Sequence, residues 1–200
     1  RLAAGEVLGE DDLGILEKLK QRTERKLGLI TPEEVARIEE LIATTPHNQL
    51  LIEAWFVSSH QSPSSELIQK LIQRNNPHIG VFLAKEIFHR SQGSEMKKFI
   101  EEVIEQKNDI VLQWLAVRTF TQPFAAEMPE LIEKLIDYSQ GRTVVEHLAT
   151  YVFSQPHAIS MRSQISKLIA MNIRELDAIL ASHVFSKPHT AGMRELIAQL

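Results

Sequence analysis

Phenylalanine recurs at a nearly constant interval along this chain, and this regularity restricts the possible folds more than any other feature. Five of the eight Phe are separated by 32, 32, 33 and 32 residues, and they are Phe56, Phe88, Phe120, Phe153 and Phe185. Eight residues after the last four of them stands a methionine, at Met96, Met128, Met161 and Met193. Four residues before the same four stands an alanine, at Ala84, Ala116, Ala149 and Ala181. Agreement in three columns predicts a tandem repeat of about 32 residues.

Each copy of the repeat contains two amphipathic segments. In the first, termed helix A, apolar residues recur at helical spacing, as in Val145, Leu148, Ala149, Val152 and Phe153. The second, termed helix B, has the same spacing in Met161, Ile165, Leu168 and Ile169. A proline stands between them in three copies, at Pro123, Pro156 and Pro188, and it ends helix A because the residue before a proline disfavours helix. We therefore predict an all-α fold, a right-handed α-α superhelix (solenoid) of helix-turn-helix repeats.

The repeat boundaries predict how the chain is organised. We expect one α-solenoid domain over residues 1–200. Residues 1–44 fit the pattern less well, and we interpret them as a degenerate N-terminal capping unit, since terminal repeats are commonly atypical. The predicted repeats are residues 45–76, 77–108, 109–141, 142–173 and 174–200, the last of which stops inside a helix B.

The paired helices with proline near the turn, as at Pro123, Pro156 and Pro188, resemble the HEAT-like and armadillo-like superfamily of α-solenoids. The resemblance covers roughly residues 31–200. It departs in length, since those repeats have about 40 residues or more. The tetratricopeptide and ankyrin signatures are absent from this sequence. The resemblance implies a scaffold or a binding surface and assigns no role to any particular residue.

Composition and motifs argue against catalysis. The chain has no cysteine, which excludes disulfides, thiol nucleophiles and Cys-containing zinc sites in these 200 residues. It also lacks HExxH, GxSxG and a glycine-rich phosphate loop. We predict a protein that is not an enzyme, with no cofactor and no metal. Its apolar runs are shorter than the roughly 18–20 residues of a membrane span. The compartment stays open; the cytoplasm is slightly favoured over export.

The two helices of each repeat differ in the width of their apolar faces. At about 100° per residue, the apolar arc of helix A spans roughly 240° and that of helix B roughly 140°. Helix B thus offers a broad polar surface, while aromatic and variable residues lie along one edge of the arc of helix A. The candidate partner-binding residues are Lys70, Glu102, Lys134 and Lys167 on helix B, and Phe82, Trp114, Tyr151 and His183 on helix A. The alternative interpretation is a solvated helix B face and aromatic packing against the next repeat.

Histidine occupies one turn position in three repeats, at His60, His157 and His189. The row could bind a metal or respond to pH. However, equivalent atoms of adjacent repeats lie about 10 Å apart, whereas a metal ion needs each ligand at about 2 Å. We therefore interpret these histidines as turn residues that hydrogen-bond the end of a helix.

A protein-interaction scaffold that binds a peptide or protein on the solenoid surface is the function that this architecture favours. One alternative is a nucleic-acid-binding helical repeat, which should carry a basic stripe. The outer column of helix B instead alternates in charge, through Lys70, Glu102 and Lys134, and the net charge is −4. Another alternative is a carrier of an apolar ligand or lipid inside the superhelix, which requires an apolar inner groove.

Overall fold

The computed structural model divides the chain into two compact units, residues 1–74 and residues 75–200. The residues that the structure describes are 40, 64–89, 94–139, 142–173 and 175–199. The predicted capping unit of residues 1–44 therefore lies outside the described residues, apart from Glu40, and so does most of the predicted repeat 45–76.

The described part of the first unit contains helix α1, Ser65–Gln73. The side-chain oxygen of Ser64 accepts a hydrogen bond from the backbone N–H of Leu67 at 3.2 Å, so that Ser64 acts as the N-cap. Four apolar side chains on one face of α1 are buried, namely Leu67, Ile68, Leu71 and Ile72. This is the pattern of an amphipathic helix whose apolar stripe faces a core.

The second unit is built from helices in two layers. The A layer consists of α2 Pro77–Phe82, α4 Asp109–Trp114, α6 Arg142–His147 and α8 Leu176–Ile179. The B layer consists of α3 Ser94–Glu105, α5 Pro129–Tyr138, α7 Arg162–Ala170 and α9 Arg194–Ile197. Every regular element in the described part of the chain is a helix, and strands are absent from that part. The predicted all-α class is confirmed. None of these helices is long and apolar enough to cross a membrane.

Each helix of the A layer changes from α to π geometry in its second half. The π segments are π1 Leu83–Ile87, π2 Leu115–Thr119, π3 Leu148–Val152 and π4 Leu180–Phe185. The backbone N–H groups of Phe88, Phe120 and Phe153 donate to the carbonyl five residues earlier, each at 2.9 Å. Isolated π turns are rare and often mark functional sites. Because this turn recurs in four helices, we interpret it as part of the architecture.

Three of the four A-layer helices end a few residues before a proline, as predicted, and a short 3₁₀ helix that was not predicted begins at that proline. The three 3₁₀ segments are Pro123–Glu127, Pro156–Ser160 and Pro188–Gly192, each with proline in its first turn. The residue before each proline is extended, with ψ of 150° at Gln122 and 152° at Gln155. This is the conformation to which a following proline ring restricts its neighbour.

Successive helix pairs of the second unit pack against each other. In the A layer α2 contacts α4 and α4 contacts α6, and the four π segments contact one another in chain order. In the B layer α3 contacts α5, α5 contacts α7 and α7 contacts α9. The three 3₁₀ segments also contact one another in chain order. The second unit is therefore a set of tandem helix pairs, which is compatible with a helical-repeat architecture.

The repeated columns of the sequence occupy the core. Phe88, Phe120 and Phe153 are fully buried, and so are Ala84, Ala116 and Ala149. Met128, Met161 and Met193 are buried as well, and Met96 is half-buried. The alanines let adjacent π segments approach closely, because a small side chain shortens the distance between helices. In the last A-layer helix Phe185 is only half-buried and Ala181 is exposed.

One buried hydroxyl connects two neighbouring π segments. Thr119 Oγ1 in π2 donates to the carbonyl of Ala84 in π1 at 3.1 Å. Valine fills the equivalent positions Val152 and Val184, both buried, so it suits the shape of this site. We expect Thr119→Val to lower the free energy of unfolding by about 0.5–1.5 kcal/mol, because one hydrogen bond is lost without a change in volume. Urea denaturation measures this loss.

Thr121→Val provides the control, because Thr121 Oγ1 donates to the carbonyl of Arg118 at 2.8 Å in an exposed position. Water can replace this bond, and its loss should leave stability nearly unchanged. Equal stability of the Thr119→Val variant and the parent protein would contradict a stabilising role for the buried hydrogen bond.

Candidate interaction surface

Lys134 connects two adjacent helices of the B layer. Its ammonium reaches from α5 to Glu101 and Glu105 of α3, one helix earlier, with 2.9 Å between Nζ and Oε1 of Glu105. The hydrogen bonds to Glu101 and then to Glu105 raise the pKa of Lys134, which therefore stays protonated. The two carboxylates are four residues apart and lie on one face of α3. Lys134 is thus held between two acidic side chains of the preceding helix pair.

Lys167 repeats this arrangement one helix further along the B layer. Its ammonium reaches from α7 to Asp137 and Glu133 of α5, at 2.6 and 3.1 Å. The hydrogen bond to Asp137 is the main cause that raises the pKa of Lys167. Two further ion pairs join neighbouring B-layer helices, Lys97 with Glu130 and Arg162 with Glu195. We refer to the ion pairs of Lys97, Lys134, Arg162 and Lys167 as the B-layer ladder.

The other two predicted helix B residues also lie in ion pairs. Lys70 contacts Glu66 of the same helix at 2.7 Å, and this hydrogen bond lowers the pKa of Glu66. Glu102 lies 3.8 Å from Lys98. A partner that recognised the predicted helix B charges would therefore have to displace contacts that they already make.

The residues along the aromatic edge of the A layer are half-buried or exposed, apart from Phe82. Lys85 Nζ of π1 lies 4.6 Å from the ring centroid of Trp114, which is half-buried at the end of α4. This is a cation–π contact between consecutive A-layer helices. The contact shows that residues along this edge of the A layer are neighbours in space. We call Lys85, Trp114, Arg118, Tyr151 and His183 the A-layer strip.

Three members of the A-layer strip occupy equivalent positions on successive π segments and are exposed. Tyr151 is 42% exposed, and its ring packs edge-on against His147 with 5.5 Å between centroids. Arg118 and His183 are exposed, and within the described residues neither side chain forms an ion pair. The strip therefore presents a large aromatic ring between a free guanidinium and an imidazole.

Phe82, the remaining predicted partner-binding residue, lies in the core. It is buried at the end of α2, immediately before π1. Its place on the edge of the apolar arc was compatible with either a core or a surface position. Phe82 is thus unavailable to a partner, unlike Trp114 and Tyr151.

The interpretation of His157 as a turn residue that bonds a helix end is confirmed. His157 Nε2 lies 3.3 Å from the carbonyl of Phe120, which directly follows π2. His189 occupies the equivalent place in the next 3₁₀ segment, but its buried Nε2 atom has no hydrogen-bond partner among the described residues, so the interpretation is not confirmed there. His60 lies outside the described residues. Across the described part of the chain, no group of three or more His, Asp or Glu side chains is arranged to hold a metal ion.

Sequence reasoning did not find the B-layer ladder, although the two columns that form its Lys134–Glu101 and Lys167–Glu133 pairs were visible. Lys134, Lys167 and Gln199 stand in one column, and Glu101, Glu133 and Ser166 stand in the column beside it. The structure pairs each member of the first column with the member of the second column on the preceding helix. The last such pair is uncharged, a hydrogen bond from Ser166 Oγ to Gln199 Oε1 at 3.2 Å. Opposite charges in adjacent columns were the missed signal.

The class of protein that the fold and this surface define is an all-α chain of tandem helix pairs with one open, aromatic edge. No protein-family model matches the chain, and no curated protein or solved structure matches it either.

Proposed function

We propose that this chain is a non-enzymatic scaffold that binds a peptide or protein through the A-layer strip. One observation carries the proposal. The exposed Tyr151 lies on the π segment next to that of Arg118, which forms no ion pair within the described residues, whereas the predicted helix B charges are already in ion pairs with other side chains. Tyr, Trp and Arg are the residues most enriched at the energetic centres of protein interfaces.

The packing of the A layer favours this role because it holds the strip in place. The π segments beneath Arg118 and Tyr151 contact each other, and their inward residues Ala116 and Ala149 are fully buried. Binding at this strip therefore costs little entropy, because the backbone of the scaffold is already ordered. Trp114 is also fixed in position by the contact of Lys85 with its ring.

The finer architecture that we propose is a right-handed superhelix of helix pairs, similar to HEAT-like and armadillo-like solenoids. The recurrence of α, π and 3₁₀ segments in the same order supports it. Stacked helix pairs form extended binding surfaces because each pair contacts only its neighbours.

Nucleic acid is a less well supported ligand than protein. A nucleic-acid interface requires cations that are free to contact phosphates along the stack. The B-layer cations Lys97, Lys134, Arg162 and Lys167 all contact carboxylates. The geometry supplies no continuous row of unpaired cations in the described residues.

The test is capture of partners from a native lysate, followed by affinity measurement with the partner so identified. The test variant is Arg118→Glu combined with Tyr151→Ala. We expect its affinity to fall by roughly 30-fold or more, because the loss of one interface anchor costs about 2 kcal/mol or more. Circular dichroism should be unchanged, since both side chains are exposed.

A matched control places equivalent changes elsewhere on the surface. Ile159→Ala removes a side chain that is 49% exposed in a 3₁₀ segment, and Ser163→Glu adds an acidic group on α7. This combination should leave partner affinity unchanged. Equal binding by the strip variant and the parent protein would contradict the proposed site. Capture of nucleic acid or lipid alone would contradict the scaffold function.

A further inference from the structure

Consecutive helix pairs of the second unit contact each other through their 3₁₀ segments as well as through their helices. The segments Pro123–Glu127, Pro156–Ser160 and Pro188–Gly192 contact one another in chain order. His157, in the middle segment, also reaches the A layer of the preceding pair through the carbonyl of Phe120. Its side chain therefore connects a 3₁₀ segment with the end of an A-layer helix. This connection does not involve the A-layer strip.

His189 stands in the equivalent position of the next 3₁₀ segment, and its environment differs from that of His157. Both residues are half-buried. The Nε2 atom of His189 is buried and has no hydrogen-bond partner among the described residues. An unpaired polar atom in a dry site costs free energy.

The charges around His157 come from few groups. Two 3₁₀ segments pack against the segment of His157. The first contains Glu127, and the other contains His189 and is capped by Lys187. Glu127 and Lys187 are exposed, and the charge that acts on His157 is that of His189. The A layer presents the carbonyl of Phe120 to the His157 ring. Within the described residues, His157 forms no ion pair with a carboxylate.

We infer that His157 is the acid-sensitive part of a joint between consecutive helix pairs, which holds while its half-buried ring is neutral and loosens when the ring gains a proton. The joint lies between the helix pairs that carry the A-layer strip, so acidification would change how those pairs are held together.

Burial lowers the pKa of His157 below its ordinary value of 6.5, and the charge of His189 lowers it further, while the hydrogen bond to Phe120 opposes the change. The unfolded chain therefore binds a proton at this histidine at a higher pH than the folded chain does. Stability increases with pH wherever the unfolded state binds more protons. The contribution of His157 is thus complete above about pH 6.5 and is lost as the pH falls through the lowered value.

The experiment compares urea unfolding at about pH 7.5 and about pH 5.5, either side of the ordinary histidine value. The variants are His157→Gln, His189→Gln and the double variant. Glutamine keeps a donor for the Phe120 carbonyl and does not titrate. We expect the urea midpoint of the parent protein to fall on acidification, and that of the double variant to fall less. His183→Gln, at an exposed position, should behave as the parent protein does.

A second measurement keeps the test decisive where a variant is destabilised at both pH values. Proton NMR titration of the His157 ring in the folded protein should show a pKa below 6.5 that rises in the His189→Gln variant. An equal fall of the midpoint in the parent protein and the double variant would overturn the acid-sensitive joint. A His157 titration unaffected by His189→Gln would overturn the coupling of the two rings. Neither readout uses a binding partner, so the outcome is independent of the proposed scaffold function.

Discussion

Phe153→Ala should lower the free energy of unfolding by about 3–5 kcal/mol, the usual cost of truncating a fully buried phenylalanine. Phe153 directly follows π3 and has no exposed surface. Its removal leaves a cavity that the tightly packed π segments on either side cannot fill by collapse. Urea denaturation followed by far-ultraviolet circular dichroism measures the loss.

Phe185→Ala is the matched comparison because Phe185 stands in the same column at the end of π4 and is only half-buried. The lost transfer free energy is smaller where the ring already contacts water. We expect its loss of stability to be clearly smaller than that of Phe153→Ala. Similar losses for the two variants would mean that burial between successive π segments is not what stabilises the repeat.

Gly80→Ala should destabilise the protein by about 1–3 kcal/mol, although alanine is normally the better helix former. A Cβ atom at Gly80 in α2 would lie 2.8 Å from Cγ2 and 3.2 Å from Cγ1 of Val111 in α4. Val111 is buried, and its branched side chain has little rotational freedom at χ1. Either the valine must leave its preferred rotamer or α2 and α4 must separate. Thermal or urea denaturation of the variant gives the sign and size of the effect.

A double-mutant cycle with Val111→Ala separates the clash from helix propensity. Once the valine methyl groups are removed, Gly80→Ala should become neutral or stabilising by about 0.5–1 kcal/mol, the intrinsic advantage of alanine in a helix. The coupling between the two substitutions is the part of the effect caused by contact. A gain in stability from Gly80→Ala in the parent protein would show that α2 and α4 can adjust without cost.

The two layers of the second unit differ in the contacts that their surface side chains make. In the B layer the ladder connects α3, α5, α7 and α9 through ion pairs between side chains 29–34 residues apart. Exposed ion pairs contribute little individually. Their regular repetition nevertheless pairs most of the charged side chains of that surface with one another. The A-layer strip retains an exposed aromatic ring and a cation, Arg118, that forms no ion pair within the described residues, which is why we place the proposed binding site there.

The sequence by itself determined the helical class, the position of the breaks and the identity of the core columns. Apolar residues at helical spacing fold into amphipathic helices whatever their neighbours are, since the period of the side chains follows from the backbone. Proline ends a helix through contacts with the residue next to it. Phe88, Phe120 and Phe153 stand in the column that sets the repeat, and they are fully buried.

Only the tertiary structure decided which side chains meet across helices. The wide apolar arc of helix A could not distinguish the buried Phe82 from the exposed Tyr151, because both lie near its edge and their burial depends on the adjacent helix. Gly80 is required because Val111 of the next A-layer helix approaches it. The B-layer ladder depends on the stagger between neighbouring helices. Such contacts join residues about one repeat apart in the chain, and their geometry is set by packing, which local periodicity does not contain.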